Sequence, residues 1–164
     1  MDHVDYSNIV DEFERLVRKH FSYLEVDYGY TAAPYRLQSL DEPRDATVSI
    51  RYKSDAVSLQ IGLSLIGAAI CVTFKNEKWI DIPKDSRVKC TSLDAVVAFR
   101  SNGSVKTLLH ELTSPRRKHW PDGFLLTNMG ITIETIADRV KKYAADILSG
   151  NVSSFHEIAA IHRG

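Results

Sequence analysis

Residues 47–63 read Thr47-Val48-Ser49-Ile50-Arg51-Tyr52-Lys53-Ser54-Asp55-Ala56-Val57-Ser58-Leu59-Gln60-Ile61-Gly62-Leu63, and the fold class turns on them. Val48, Ile50 and Tyr52 alternate with Ser49 and Arg51. Val57, Leu59, Ile61 and Leu63 alternate with Ser58, Gln60 and Gly62. Successive side chains of a strand point to opposite faces, so each run is a strand with one buried face. Lys53-Ser54-Asp55 supplies the turn between them, and sequential strands joined this tightly pair antiparallel.

Working outward, Ala68 to Phe74 is nearly continuously apolar and suits a central strand. Lys75-Asn76-Glu77-Lys78 turns the chain into Trp79-Ile80-Asp81-Ile82, a fourth strand that Pro83 stops. Upstream, Tyr35 to Leu40 reads as a short strand, and Asp41-Glu42-Pro43-Arg44-Asp45 as an exposed turn. The expected sheet is an antiparallel meander of four to five strands.

Helical periods flank it. Val10, Phe13, Leu16, Val17, Phe21 and Leu24 recur at three- and four-residue spacing, placing them on one helical face. Ser7 is placed to cap this helix, with Asp11, Glu12 and Glu14 early and Arg15, Arg18, Lys19 and His20 late, an order that complements the helix dipole. Thr91 or Ser92 is placed to cap a helix over 93–99, Ser101-Asn102-Gly103 breaks the chain, and Ser104 precedes a helical stretch over 105–112. A longer helix is predicted over 132–149, faced by Ile133, Ile136, Ala137, Val140, Tyr143, Ala144, Ile147 and Leu148 and stopped by Gly150. Ser154-Phe155-His156-Glu157 has the capping-box pattern and opens one more. The expectation is one α+β domain over residues 1–164, its amino-terminal and carboxy-terminal helices packed mainly on one face of the sheet.

Composition restricts the functional classes. The 164 residues are 44% hydrophobic and 26% charged, which fits one globular domain and excludes wholesale disorder. Lys plus Arg and Asp plus Glu both total 21, so the basic excess that phosphate binding usually brings is missing. The amino terminus is charged and amphipathic and lacks a secretory signal, and the most apolar stretch, residues 61–72, is too short to span a bilayer as a helix. A cytoplasmic location away from the membrane is therefore expected.

No metal or cofactor is expected. The six histidines form no H-E-x-x-H or paired Cys/His spacing, and the eight glycines form no phosphate-binding loop. No G-x-S-x-G elbow is present. Cys71, within the apolar strand, reads as a small hydrophobe. Cys90 is the better thiol candidate, with Lys89 before it and a predicted helix start after it. A site built from Cys90 with His110 or His119 is the enzymatic alternative. The most conspicuous cluster is Arg116-Arg117-Lys118-His119-Trp120 between Pro115 and Pro121. Cations beside an indole can grip an acidic protein face or, as a further alternative, RNA backbone or a nucleotide; equally, such a run can be a solvated loop. Asp2, Asp5, Asp11, Glu12, Glu14, Asp41, Glu42 and Asp45 form an acidic counterpart that would suit an electrostatically steered partner.

The helix ending His20-Phe21-Ser22-Tyr23-Leu24, the Tyr28-Gly29-Tyr30 turn, the meander and the late helices together resemble small bacterial α+β proteins. These include immunity proteins of contact-dependent and other polymorphic toxin systems. The resemblance covers roughly the first half of the chain. It implies a stoichiometric inhibitor that binds one cognate toxin in the cytosol and has no catalytic residues, although many such proteins are acidic where this chain is neutral. The functional expectation is thus a non-catalytic protein-binding module, plausible as an immunity protein. Its contact residues would be Arg116, Arg117, Lys118 and His119, with Trp120 as aromatic anchor.

Overall fold

The computed structural model describes residues 7–33, 36–38, 47–64, 69–78, 89–105 and 124–163. Six described strands form one antiparallel sheet: β1 (Thr31–Ala32), β2 (Arg36–Gln38), β3 (Thr47–Lys53), β4 (Val57–Ser64), β5 (Ala69–Asn76) and β6 (Cys90–Ser92). The order is β1-β3-β4-β5-β6, with β2 also pairing on β3. Its centre is the β3–β4–β5 meander, in which Ile50 pairs with Ile61 and Ile61 with Val72. The edge beside β3 is composite. Thr31 pairs with Lys53 and Arg36 with Ser49, so the register of β2 is one residue out of step with that of β1.

Alternation decides which face is buried. Val48, Ile50, Tyr52, Leu59, Ile61, Leu63, Val72 and Phe74 point inward and are all but inaccessible to water. Six described helices supply the rest of the described core: α1 (Ser7–His20), α2 (Ser22–Val26), α3 (Leu93–Arg100), α4 (Phe124–Tyr143), α5 (Ala145–Leu148) and α6 (Ser154–Arg163). Their buried residues, among them Phe13, Val17, Val96, Ile133, Val140, Ile147 and Phe155, join the inward row of the sheet in one apolar cluster. Each such side chain contributes roughly 1.5–3 kcal/mol on burial. α1 lies against α4, while α3 contacts α4, α6 and the β5–β6 side of the sheet.

Two helical runs are each interrupted once without losing continuity. Phe21 separates α1 from α2, yet its N–H donates to the Val17 carbonyl at 2.9 Å. Ala144 separates α4 from α5, and its N–H donates to the Val140 carbonyl at 3.0 Å. Both interrupting residues are fully buried, so packing fixes the bends. Gly150 ends the second run with φ +98°, and its N–H donates to the Ile147 carbonyl at 2.9 Å.

The meander, the first helical face and the stop at Gly150 agree with the sequence reading. Other details are corrected. α1 begins at Ser7, so Asp11, Glu12 and Glu14 fall after its first turn. Glu12 and Glu14 instead pair with Arg15 at 2.6 Å and Arg18 at 3.0 Å. The long helix begins at Phe124, earlier than its apolar period indicates. Ser154 lies inside α6, and its buried hydroxyl has no hydrogen-bond partner among the described residues, so it does not act as the expected cap. Cys71 is exposed, because it falls in the outward phase of β5. β6 is a strand where only a helix cap was expected. Ser92 does both: it ends β6, and its hydroxyl accepts the Ala95 N–H at 3.1 Å to start α3. The expected strand at 79–82, the turn at 41–45, most of the stretch at 105–112 and the loop at 114–123 lie outside the described residues.

Candidate functional site

Two surfaces of the described structure have features that the core does not require. The first is a cleft at one end of the sheet. Three turns reach it: Asp27, Tyr28, Gly29 and Thr31 follow α2; Lys53 ends β3 and Ser54, Asp55 and Ala56 turn into β4; Leu148 ends α5, followed by Ser149 and Gly150. It is open to solvent, with a volume of about 630 Å³. Hydrogen bonds hold the turns. Tyr30 Oη donates to the Leu148 carbonyl at 3.1 Å, and the Ser54 hydroxyl donates to the Val57 carbonyl at 2.9 Å. Gly150 fits close against this wall, since a Cβ there would stand 3.4 Å from that of Ala56. Burial pushes the Tyr30 hydroxyl above its ordinary pKa, the Ser54 hydroxyl offsets part of this, and Tyr28 adds to it. Tyr30 is therefore a protonated donor at neutral pH.

The electrostatics of the cleft follow from the helices. The five-residue α2 and the four-residue α5 end there without a basic residue, while the longer helices that precede them end in Arg18, Lys19 and His20 and in Lys141 and Lys142. Asp27 is the C-cap residue of the first run, where a carboxylate is electrostatically unfavourable. Asp55 lines the cleft from the β3–β4 turn, and Lys53 is its one cationic lining residue among those described.

The second surface is the outward face of the sheet. Ser49, Arg51 and Lys53 of β3, Ser58, Gln60, Gly62 and Ser64 of β4, Cys71, Thr73 and Lys75 of β5, and Cys90 and Ser92 of β6 occupy it by alternation. All are polar or small, and all but Ser58 are half-buried or exposed. Ser58 is closed over by Glu77, to which its hydroxyl donates at 2.6 Å; Lys75 stands 3.6 Å from the same carboxylate. Burial alone would raise the Glu77 carboxyl. The Ser58 hydroxyl, then Lys75 and Lys53, outweigh it and hold Glu77 below the ordinary value. Arg51 donates to Gln60 Oε1 at 3.4 Å and is otherwise exposed.

Gly62 sits mid-strand on this face, paired with Ser49 and Cys71. Its φ is not positive, and a Cβ would meet only the Val48 carbonyl oxygen at 3.9 Å, an ordinary contact. A strand glycine costs roughly 0.5–1 kcal/mol relative to alanine. Neither backbone strain nor crowding on this face requires it.

The sequence-derived candidates fare differently. Arg116, Arg117, Lys118, His119 and Trp120 lie outside the described residues, as does His110. Cys90 is exposed in β6 across from Lys75, but α3 starts only at Leu93, so the thiol is not at a helix N-terminus. Cys71 is also exposed, yet burial of its thiol, with Asp94 nearby, raises its pKa, which disfavours the nucleophilic thiolate. Both cysteines are free. In register, Cys90 lies opposite a residue four positions along β5 from Cys71, about 13 Å at strand rise, too far for a disulfide. Among the described residues no group of three or more His, Cys, Asp or Glu is placed to hold a metal, and no helix is long and apolar enough to cross a membrane. Sequence reading missed both surfaces. Gly62 within an alternating strand was the available signal for the second; the cleft, drawn from three distant turns, left none.

No protein-family model, curated protein or solved structure matches the chain.

Proposed function

We propose that this domain is a non-catalytic protein-binding module that acts in the cytoplasm, with the outward face of its sheet as the contact surface. Gly62 carries the reading. A glycine that the fold does not require, between Ser49 and Cys71 in register, keeps the middle of the face low enough for another chain to approach. Arg51, Lys53 and Lys75 surround this strip, with Glu77 beside Lys75 and Asp94 near Cys71. A face of this charge complements an acidic protein surface. The module fits the role of an immunity protein, which neutralises one bacterial toxin by stoichiometric contact, and Arg116, Arg117 and Lys118 would add charge of the same sign.

Co-expression with the product of the adjacent gene, which the proposal expects to be a toxin, tests it. The wild type is expected to protect growth and to copurify with that toxin at one-to-one stoichiometry. Gly62→Tyr and Arg51→Glu are expected to stay folded and to lose both. Growth arrest in the presence of the wild type overturns the immunity reading. Undiminished toxin binding by both variants overturns the contact surface.

A further inference from the structure

We propose that Asn102, just past the end of α3, is a site of spontaneous deamidation whose rate is set by the helix cap it forms. Asn102 is exposed, and Gly103 follows it. The backbone nitrogen after an asparagine can attack the side-chain amide, and the residue carrying that nitrogen ordinarily obstructs the approach with its own side chain. Glycine has none. The other asparagines, Asn8, Asn76, Asn128 and Asn151, precede Ile9, Glu77, Met129 and Val152, whose side chains stand in the way.

The reaction needs only water and hydroxide. The Gly103 nitrogen gives its proton to hydroxide and bonds to Asn102 Cγ. The Cγ–Nδ2 bond then breaks, and the nitrogen leaves as ammonia with a proton taken from water. Water opens the resulting cyclic imide at either carbonyl. One opening returns aspartate; the other returns isoaspartate, with the main chain rerouted through Cβ and Cγ.

The fold opposes the first step. Asn102 has φ +53° and Gly103 φ +76°. The Asn102 N–H donates to the Phe99 carbonyl at 3.4 Å and the Gly103 N–H to the Ala98 carbonyl at 2.9 Å. This is a Schellman cap with asparagine in the left-handed position that glycine usually takes. The attacking nitrogen is therefore held in the shorter of the two bonds, and it is released only when the last turn of α3 opens. Helix ends open at low free-energy cost, so the reaction draws on a minor open population. Its product does not restore the cap. Isoaspartate lengthens the main chain by a methylene and moves the Gly103 N–H away from Ala98, and either product sets a carboxylate at a helix carboxyl end, the unfavourable sign. α3 gives Val96 and Val97 to the core, and its Arg100 pairs with Asp146 of α5 at 2.6 Å, so a loosened end reaches beyond the turn.

Incubation of the full chain in mildly alkaline buffer, followed by peptide mapping by mass spectrometry, tests the site. The peptide carrying Asn102 is expected to gain the amide-to-acid mass difference, with isoaspartate among its products, while the other asparagines stay intact. Conversion should rise with pH, because the nitrogen must lose its proton. It should run at least about tenfold faster in urea, where the cap is open. Asn102→Gly is expected to melt no lower than the wild type, since glycine takes the same φ without strain, and to yield no product there. The separated isoaspartyl form is expected to melt below the wild type. The proposal is overturned if Asn102 stays intact in the folded chain after prolonged incubation, or if it converts as fast there as in urea. An isoaspartyl form that melts as the wild type does overturns the loss of the cap.

Discussion

The two faces of the sheet are built from the same strands, one residue apart, and they obey different constraints. On the inward face, Ile50, Leu59, Ile61, Leu63 and Phe74 are completely buried and chosen for volume. On the outward face, Ser49, Gln60, Gly62 and Thr73 are only half-buried, and among the described residues the closed contact of Ser58 with Glu77 is polar. The inward face must satisfy this chain alone, so its composition reports the fold. The outward face is free of that demand, so its departures from good strand-forming residues report something other than the fold. Gly62 is the clearest such departure.

Neighbouring substitutions on one strand test this contrast most directly. Phe74→Ala should cost about 3–5 kcal/mol through lost burial and an unfilled cavity. Thr73→Ala, one residue away, should cost less than about 1 kcal/mol. Urea denaturation midpoints compare the two, and similar costs would remove the distinction between the faces.

Glu77→Gln sharpens the comparison on the polar side. The Glu77 carboxyl is depressed in the folded state, so its stabilisation is complete above the unfolded carboxylate pKa, near 4.3, and is lost as pH falls through the lower folded value. The variant should be about 1 kcal/mol less stable at pH 7. Its deficit should shrink below about pH 4. A deficit unchanged down to pH 2 would show that charge is not what the contact uses.

The smallest effect has the opposite sign. Gly62→Ala should raise stability by about 0.5 kcal/mol, because it restricts the unfolded chain and meets no crowding. Destabilisation on thermal melting would give the glycine a structural reason and remove the observation on which the contact surface rests.

Much of this architecture is legible in the sequence where period and burial coincide. The 47–63 alternation gives β3, β4 and their turn, and the Val10–Leu24 period gives α1 with its bent continuation. The phase of β5 was not legible, because Ala68 to Phe74 is apolar at nearly every position. Only pairing of Ile61 with Val72 and Gly62 with Cys71 assigns Cys71 to the outward face. β6 contributes three residues, of which Thr91 alone is buried, too short a segment for any period to register. The cleft depends on where two helices end relative to a distant turn, which is tertiary information. The expected contact cluster at 116–120 lies outside the described residues.

The composite edge beside β3 has a consequence for behaviour at high concentration. An unbroken edge strand offers a continuous ladder of N–H and C=O groups to another molecule, the template for edge-to-edge aggregation. Here β1 contributes two residues and β2 three, in registers one residue apart, so among the described residues no straight row of free groups runs along them. A second copy could match one piece or the other but not both in a single register. On this side, the chain is protected against uncontrolled strand addition.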